Sequence, residues 1–254
     1  MSVRKEVRGQ TWILVIDRPD VRNALDAITS RRLSDLVREA DSADDVRAVV
    51  LTGAGDKAFC AGMDLKAGRG EGWRDHLDVA GGFGGLTRAR YRTPIIAAVN
   101  GVAAGGGFEL ALACDLIVAA SHATFALPEV KRGRLASGGG IVRLAEFLPP
   151  VLANEITLLG RPVTAQRAYE MGVINAVVPA TELMASALGL AEDVAANAPL
   201  AVAGSKEILS AIREPSPETW DLNMEVAGRV RDSEDAIEGS AAFAERRDPV
   251  WRGR

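Results

Sequence analysis

The 254-residue sequence predicts an α/β fold, helices packed on a parallel sheet, with an all-helical tail behind it. Three observations predict it. From Trp12 to Leu51 the apolar pattern runs strand, helix, strand, the order of a βαβ unit. Strand–turn–helix units of this kind recur through the first two thirds, without a strict repeat. Beyond Glu182 no strand pattern is left, and four helical stretches follow one another.

Trp12–Ile16 (WILVI) is a strand by its length and β-branching, ended by Asp17-Arg18-Pro19-Asp20. Leu33, Leu36, Val37 and Ala40 are spaced for one apolar helix face. Ala48–Leu51 is a second buried strand. Thr52 to Leu65 is a glycine-rich loop ending in a helix start. Gly68 to Gly85 is glycine-rich too, predicts a mobile segment, and carries Trp73, His76 and Phe83. A short helix is expected over Leu86–Arg90.

Ile95–Val99 is a strand closed by the turn signal Asn100-Gly101. Gly105-Gly106-Gly107 then opens a helix, Phe108 to Ala113, that is apolar almost all round and therefore buried. Asp115–Ala119 and Thr124–Leu127 are strands. Gly138-Gly139-Gly140 opens a helix over Ile141–Phe147, broken by Pro149-Pro150. Helices over Val151–Leu159 and Thr164–Met171 and a last strand over Val173–Val178 follow. The tail reads as helices over Glu182–Asn197, Leu200–Ile212, Pro217–Arg231 and Asp235–Arg246. Ser216 before Pro217 is a cap with proline in the first turn. The composition shift after Pro179 divides the chain into a core, residues 1–179, and a helical region, residues 180–254.

A net charge of −4 without a dense basic run argues against nucleic acid or an anionic membrane as partner. It leaves room for a local basic patch that holds one phosphorylated ligand. Cys60 and Cys114 sit among small apolar residues, as free thiols do. The two cysteines and two histidines are scattered, so no metal site is expected. Met1 to Arg8 lacks a signal-peptide core and no apolar run reaches membrane-spanning length, so a cytoplasmic location is expected.

The glycines before Phe108 leave main-chain N–H groups bare at the positive end of a helix. Glu109, one turn in, is the only ionisable side chain of that helix, and a lone buried carboxylate is costly unless paired or used. Taken alone, these residues also fit close helix–strand packing with Glu109 meeting an arginine. The glycines at 101, 105, 106 and 107 miss the G-x-G-x-x-G spacing of a dinucleotide site.

Three motifs stand in order: Ala58 to Leu65 (AFCAGMDL), Val99 to Ala111 (VNGVAAGGGFELA) and Leu127-Pro128-Glu129. Together they resemble the enoyl-CoA hydratase/isomerase (crotonase) superfamily, from about Trp12 to the C-terminus. The segments GGFGGLT at Gly81 to Thr87, SEDAIEG at Ser233 to Gly239 and RDPVW at Arg247 to Trp251 are similar to the carnitinyl-CoA dehydratase branch of that superfamily.

The resemblance implies a crotonase-like spiral of repeated β-β-α units with a helical C-terminal trimerisation region, in homotrimers or hexamers. It implies reversible hydration of a 2-enoyl-CoA thioester, with coenzyme A part of the substrate and no separate cofactor. The amides of Met63 and Gly106 would hold the thioester oxygen as it gains charge. Glu109 and Glu129 would divide the proton work, one ionised and one protonated. Arg22, Ala24, Leu25, Lys57, Ala61, Asp64 and Leu65 would line the CoA groove, with Phe243 and Arg246 closing over it. Trp73, Phe83 and Ser137 are acyl-pocket candidates, the aromatics offering a face to a trimethylammonium group. The glycine run after Ser137 opens a helix that could polarise the thioester further. Other readings stay open: Glu129 ion-paired among Lys131, Arg132 and Arg134, Met63 as core filler, Arg22 and Arg246 as solvated charges. So do a general short-chain enoyl-CoA hydratase, an isomerase and a non-catalytic acyl-CoA-binding protein.

Overall fold

The computed structural model describes residues 2–64, 81–213 and 216–252. Leu65, Trp73 and His76 lie outside them. Six strands form the larger sheet: β1 (Val3–Arg8), β2 (Thr11–Ile16), β3 (Ala48–Gly53), β5 (Ile95–Val99), β7 (Leu116–Ala120) and β10 (Ala176–Val178), side by side in that order. β1 pairs antiparallel to β2 and all other pairs are parallel.

β2, β3 and β5 are buried at every residue because both faces of the sheet are covered. One face carries Leu14, Ile16, Val49, Leu51, Ala97 and Val99, in one core with Leu33, Leu36 and Val37 of α1 (Ala27–Ser42). The other carries Ile13, Val15, Ala48, Val50, Ile96 and Ala98. There it meets Leu183, Ala187 and Ala191 of α6 (Leu183–Ala196). Alternate residues thus feed two cores, as the period of a strand requires.

A second sheet has β4 (Ala58–Cys60), β6 (Val102–Ala104), β8 (Thr124–Ala126) and β9 (Val163–Thr164) in that order. β4, β6 and β8 run parallel and β9 antiparallel. Asn100 ties the sheets together. Its Oδ1 accepts from Gly53 N–H at 3.1 Å and its Nδ2 donates to Gly55 O at 2.7 Å and Ala58 O at 3.1 Å. Helix α2 (Gly106–Leu112) follows β6 directly and is pressed onto β4. A Cβ on Gly107 would overlap the Cys60 carbonyl.

The remaining α-helices among the described residues are α3 (Gly140–Phe147), α4 (Pro150–Leu159), α5 (Ala165–Glu170), α7 (Pro199–Arg213), α8 (Pro217–Arg231) and α9 (Glu234–Glu245). Among the described residues no helix is long and apolar enough to cross a membrane. Cys60 and Cys114 are free and buried.

Several elements correct the sequence reading. Val3–Arg8 pairs as an edge strand although four of its six side chains are charged and all but Val3 are exposed. β4 and β6 stand where a loop and a turn were expected, because three-residue strands carry too little pattern to register. The helix expected over Leu86–Arg90 does not form. The chain instead makes one 3₁₀ turn at Phe83–Gly85, with Gly84 and Gly85 at φ of 62° and 78°. Phe83 N–H is bonded to Thr87 Oγ1 at 2.9 Å, which closes the segment on itself.

Candidate active site

Glu109 and Glu129 come together from two elements. Glu109 rides in the first turn of α2, whose seat is fixed by Gly105 N–H donating to Ala126 O at 2.9 Å and by Phe108 packed on Phe125 at 5.2 Å. It is 4% exposed. Its Oε1 accepts the Gly140 N–H at 2.9 Å, and a Cβ on Gly138 would sit 2.6 Å from its Oε2. The opening of α3 is therefore moulded on this carboxylate, and the Gly140 amide expected to face a thioester is spent there.

Glu129 lies in the 3₁₀ turn Pro128–Arg132, just after β8. A Cβ on Gly105 would meet its Oε1 at 2.8 Å, which puts it at the opening of α2. Its Oε2 is buried and has no hydrogen-bond partner among the described residues.

The two carboxyls differ in their support. Burial raises Glu109 above the ordinary carboxylate range, while the Gly140 amide, the Arg143 charge and the Gly138 amide pull it back. Burial, and then the charge of Glu109, push Glu129 up to about 8. Its own main-chain N–H, then Arg132 and Arg134, oppose this. Burial thus favours the protonated form of both acids, while the Gly140 and Gly138 amides and the Arg143 charge favour the anion at Glu109.

Two main-chain donors stand nearby. Leu25 N–H donates to Gly62 O and Asp64 N–H to Leu25 O, both at 2.8 Å, so the Met63 N–H points away from that ladder. Gly106 N–H opens α2, where no carbonyl of its own helix can accept it. A Cβ on Gly62 would sit 3.1 Å from Gly106 N, so the two amides belong to adjoining backbones.

Residues 9–254 match the sequence profile of the enoyl-CoA hydratase/isomerase family. The chain belongs to this family. It is 46% identical over 260 residues to the carnitinyl-CoA dehydratase of Proteus mirabilis (strain HI4320), covering 100% of this chain and 99% of the relative. Against the carnitinyl-CoA dehydratase of Escherichia coli O157:H7 it is 46% identical over 253 residues, 97% of this chain and 96% of the relative. The solved carnitinyl-CoA hydratase of Mycobacterium avium superposes with a TM-score of 0.95 at 45% identity, covering 100% and 99% of the two chains. The fold is thus that of the enoyl-CoA hydratases, and the chain is an enzyme of their hydratase/dehydratase class.

Within this family fold, the first group of CoA candidates converges on Met63. Ala61 N–H donates to Arg22 O at 3.0 Å, Leu25 bridges Met63, and Asp64 pairs with Arg18 at 3.0 Å. Ala24 and Leu25 are buried, whereas the Arg22 and Lys57 side chains are exposed. Lys57 O accepts Val102 N–H at 3.1 Å at the start of β6. Phe243 lies on α9 and Arg246 directly after it. The Arg132 guanidinium stacks 4.2 Å from the Phe243 ring, and Arg246 caps the helix. Phe83 is 2% exposed, its ring edge against Gly106. Ser137 is half-buried, and its carbonyl accepts Asn223 Nδ2–H of α8 at 2.9 Å. Leu65 and Trp73 lie outside the described residues.

Sequence reasoning missed Arg18, which bonds Ala24 O at 2.6 Å and pairs with both Asp26 and Asp64. It also missed Arg143 and the amides of Gly138 and Gly140 as partners of Glu109. The one signal was the lone acid of a buried helix, which calls for a cation.

Proposed function

We propose that this enzyme reversibly hydrates a 2-enoyl-CoA thioester, with a carnitinyl-CoA-type acyl group as the favoured substrate. The observation that carries the mechanism is the unequal carboxyl pair. One acid accepts the main-chain N–H of Gly140, and the other has a buried oxygen without a partner among the described residues. In hydration, Glu109 takes a proton from water as its oxygen bonds to Cβ. The electron pair of the Cα–Cβ double bond moves toward the thioester oxygen. The amides of Met63 and Gly106 stabilise that charge. Glu129 then gives its proton to Cα, and transfer between the two acids restores the starting state. Dehydration reverses each step.

The substrate carries its own coenzyme A, so no further cofactor enters these steps. Arg22, Ala24, Leu25, Lys57, Ala61, Asp64 and Leu65 form the groove for its pantetheine and phosphates in this reading, with Phe243 and Arg246 closing over it. Phe83, Ser137 and Trp73 border the acyl group. The helical region, residues 180–254, serves assembly into a trimer or a dimer of trimers. Exposed Leu200, Ile208, Leu209 and Leu222 support that role. Two reduced thiols fit a cytoplasmic setting.

Glu109→Gln and Glu129→Gln should each lower hydration by at least about a hundredfold while CoA-ester binding, read by calorimetry, persists. Near-full turnover in either variant would remove the mechanism. One observation favours a general short-chain enoyl-CoA hydratase instead. Arg134 is half-buried, and its guanidinium charge acts on the Glu129 carboxyl. That suits a cationic acyl group poorly. Rates on crotonobetainyl-CoA and crotonyl-CoA, measured side by side, separate the two readings.

A further inference from the structure

The segments SEDAIEG and RDPVW, at Ser233 to Gly239 and Arg247 to Trp251, have no part in the hydration steps. The fold sets the first against the turn that carries Glu129 and the second behind it. That turn, Pro128–Arg132, ends at Gly133, whose φ is 60° and whose N–H donates to Glu129 O. Helix α9 crosses it there, main chain on main chain. A Cβ on Gly239 of α9 would sit 2.5 Å from the Arg132 carbonyl carbon and 2.6 Å from its oxygen. From the other side, a Cβ on Gly133 would run into the Asp235 carbonyl of α9 and lie 2.9 Å from Ala236 Cα. Neither position has room for a side chain, so helix and turn touch through bare backbone.

Side chains lock this crossing. The Arg132 guanidinium lies over the Phe243 ring at 4.2 Å, and Arg134 Nη2 donates to Ser240 Oγ at 3.4 Å. Behind α9 the chain folds back on the helix. Arg247 donates to both Glu238 oxygens, at 2.5 and 2.9 Å. Val250 N–H donates to Glu238 at 2.8 Å and Arg252 N–H to Asp235 at 2.7 Å. The Trp251 ring is thereby set behind Gly239, 3.0 Å from the position of its missing Cβ. The start of the turn is pinned from the core. There a Cβ on Gly160, just after α4, would meet Val130 at 3.0 Å and Leu127 O at 3.2 Å. Two glycine crossings, one from the core and one from the tail, bracket Glu129. Its Oε2 has no hydrogen-bond partner among the described residues. That oxygen is located by the backbone beneath it, not by a bond of its own.

We propose that Gly239 is a positioning residue. By letting α9 lie directly on the Arg132 carbonyl, it holds the turn where the Glu129 carboxyl reaches Cα of the substrate. The consequence for turnover rests on the hydration reading; the placement of the carboxyl does not. Gly239→Ala pushes a methyl group into the Arg132 carbonyl, and turn or helix must give way. A proton donor misplaced by about 1 Å loses up to about a hundredfold in rate. At saturating CoA ester kcat should therefore fall about tenfold or more. In a Glu129→Gln background the same substitution should cost less than about twofold, because the group it misplaces no longer acts. Gly228→Ala, in α8 with nothing within 4 Å of the new Cβ, is the control and should leave kcat unchanged.

A second readout needs no substrate. In ligand-free protein at about pH 6 the protonated Glu129 carboxyl has an infrared carbonyl band, identified by its loss in Glu129→Gln. In Gly239→Ala that band should move to lower frequency as water reaches the displaced group. If Gly239→Ala does not fold, Trp251→Ala removes the ring packed behind Gly239. It should give the same band shift and the same dependence on Glu129, with a kcat loss of about threefold. A folded variant whose Glu129 band stays at the wild-type frequency would overturn the proposal, whatever its activity. So would an equal fractional loss of kcat with and without Glu129, which would mark general damage to the fold. Wild-type protein that hydrates no enoyl-CoA ester would sink the hydratase reading and leave the infrared band to judge Gly239.

Discussion

The larger sheet and the smaller one lie on either side of Asn100 and are made of different material. β2, β3 and β5 are five or six residues long, buried throughout, and filled with branched apolar side chains on both faces. β4, β6 and β8 are three residues each, and around them glycines let other groups come close: Gly107 lies on the Cys60 carbonyl of β4, Gly105 on Glu129, and Gly138 and Gly140 on Glu109. The first region draws its stability from volume. The second draws its function from the absence of volume, because main chain must reach within hydrogen-bond distance of Glu109. A cavity should therefore harm the two regions differently from an added methyl group.

The largest effect is expected in the larger sheet. Leu51→Ala removes a fully buried side chain facing α1 and should cost about 2–5 kcal/mol of unfolding stability. The folded fraction should keep its kcat, as read by denaturation and steady-state kinetics on the same preparation. Gly138→Ala should do the reverse. Its new Cβ would lie 2.6 Å from Glu109 Oε2 and displace that carboxylate. A shift of this size should lower kcat about a hundredfold. Thermal unfolding should move by only a few degrees. Equal losses of stability in both variants would erase the distinction between the regions.

A smaller effect separates the two acids within the site. Glu129 is raised to about 8 in the folded chain and reverts to the ordinary carboxylate range on unfolding. The folded state therefore binds the extra proton, and its advantage is complete at low pH and lost as pH rises toward 8. Glu129→Gln carries no such loss. Its melting temperature should match wild type near pH 4, then exceed it by several degrees or more at pH 9. A constant offset across that range would mean that Glu129 titrates normally. In wild type the same ionisation should set the basic limb of kcat, near pH 8.

The contrast between the sheets also explains what could be read from the sequence. WILVI, AVVL and IIAAV announce buried strands because five or six residues of one kind leave a pattern. Ala58–Cys60 and Val102–Ala104 do not, since three residues carry no period. Glu109 stood out as a lone acid in an apolar helix, and the arginine it called for exists. Its position did not stand out, because an arginine in IVRLAEF fits an exposed helix face as well as a buried one. The GGFGGLT segment misled for a related reason. A helix was expected to begin at its Leu86, but glycines at positive φ turn the chain just before that residue. The fold was thus legible where side chains determine it, and the site only where a recognised family motif stood in for the missing side chains.

The least expected effect lies where the helical tail touches the site. Asn223 of α8 donates to Ser137 O at 2.9 Å and is only 9% exposed, so it holds the start of the glycine run that α3 lays against Glu109. Asn223→Ala leaves a half-buried carbonyl without its donor, a cost of about 1 kcal/mol. If α8 only covers the core, that cost should appear as a small drop in melting temperature and nowhere else. If α8 also fixes the glycine run, kcat should fall about threefold, because a looser Gly138–Gly140 segment supports the Glu109 anion less well. Asn223→Asp, with no N–H to give to Ser137 O, should match the alanine variant rather than wild type. Full activity in both would confine α8 to assembly and leave the smaller sheet to shape the Glu109 site alone.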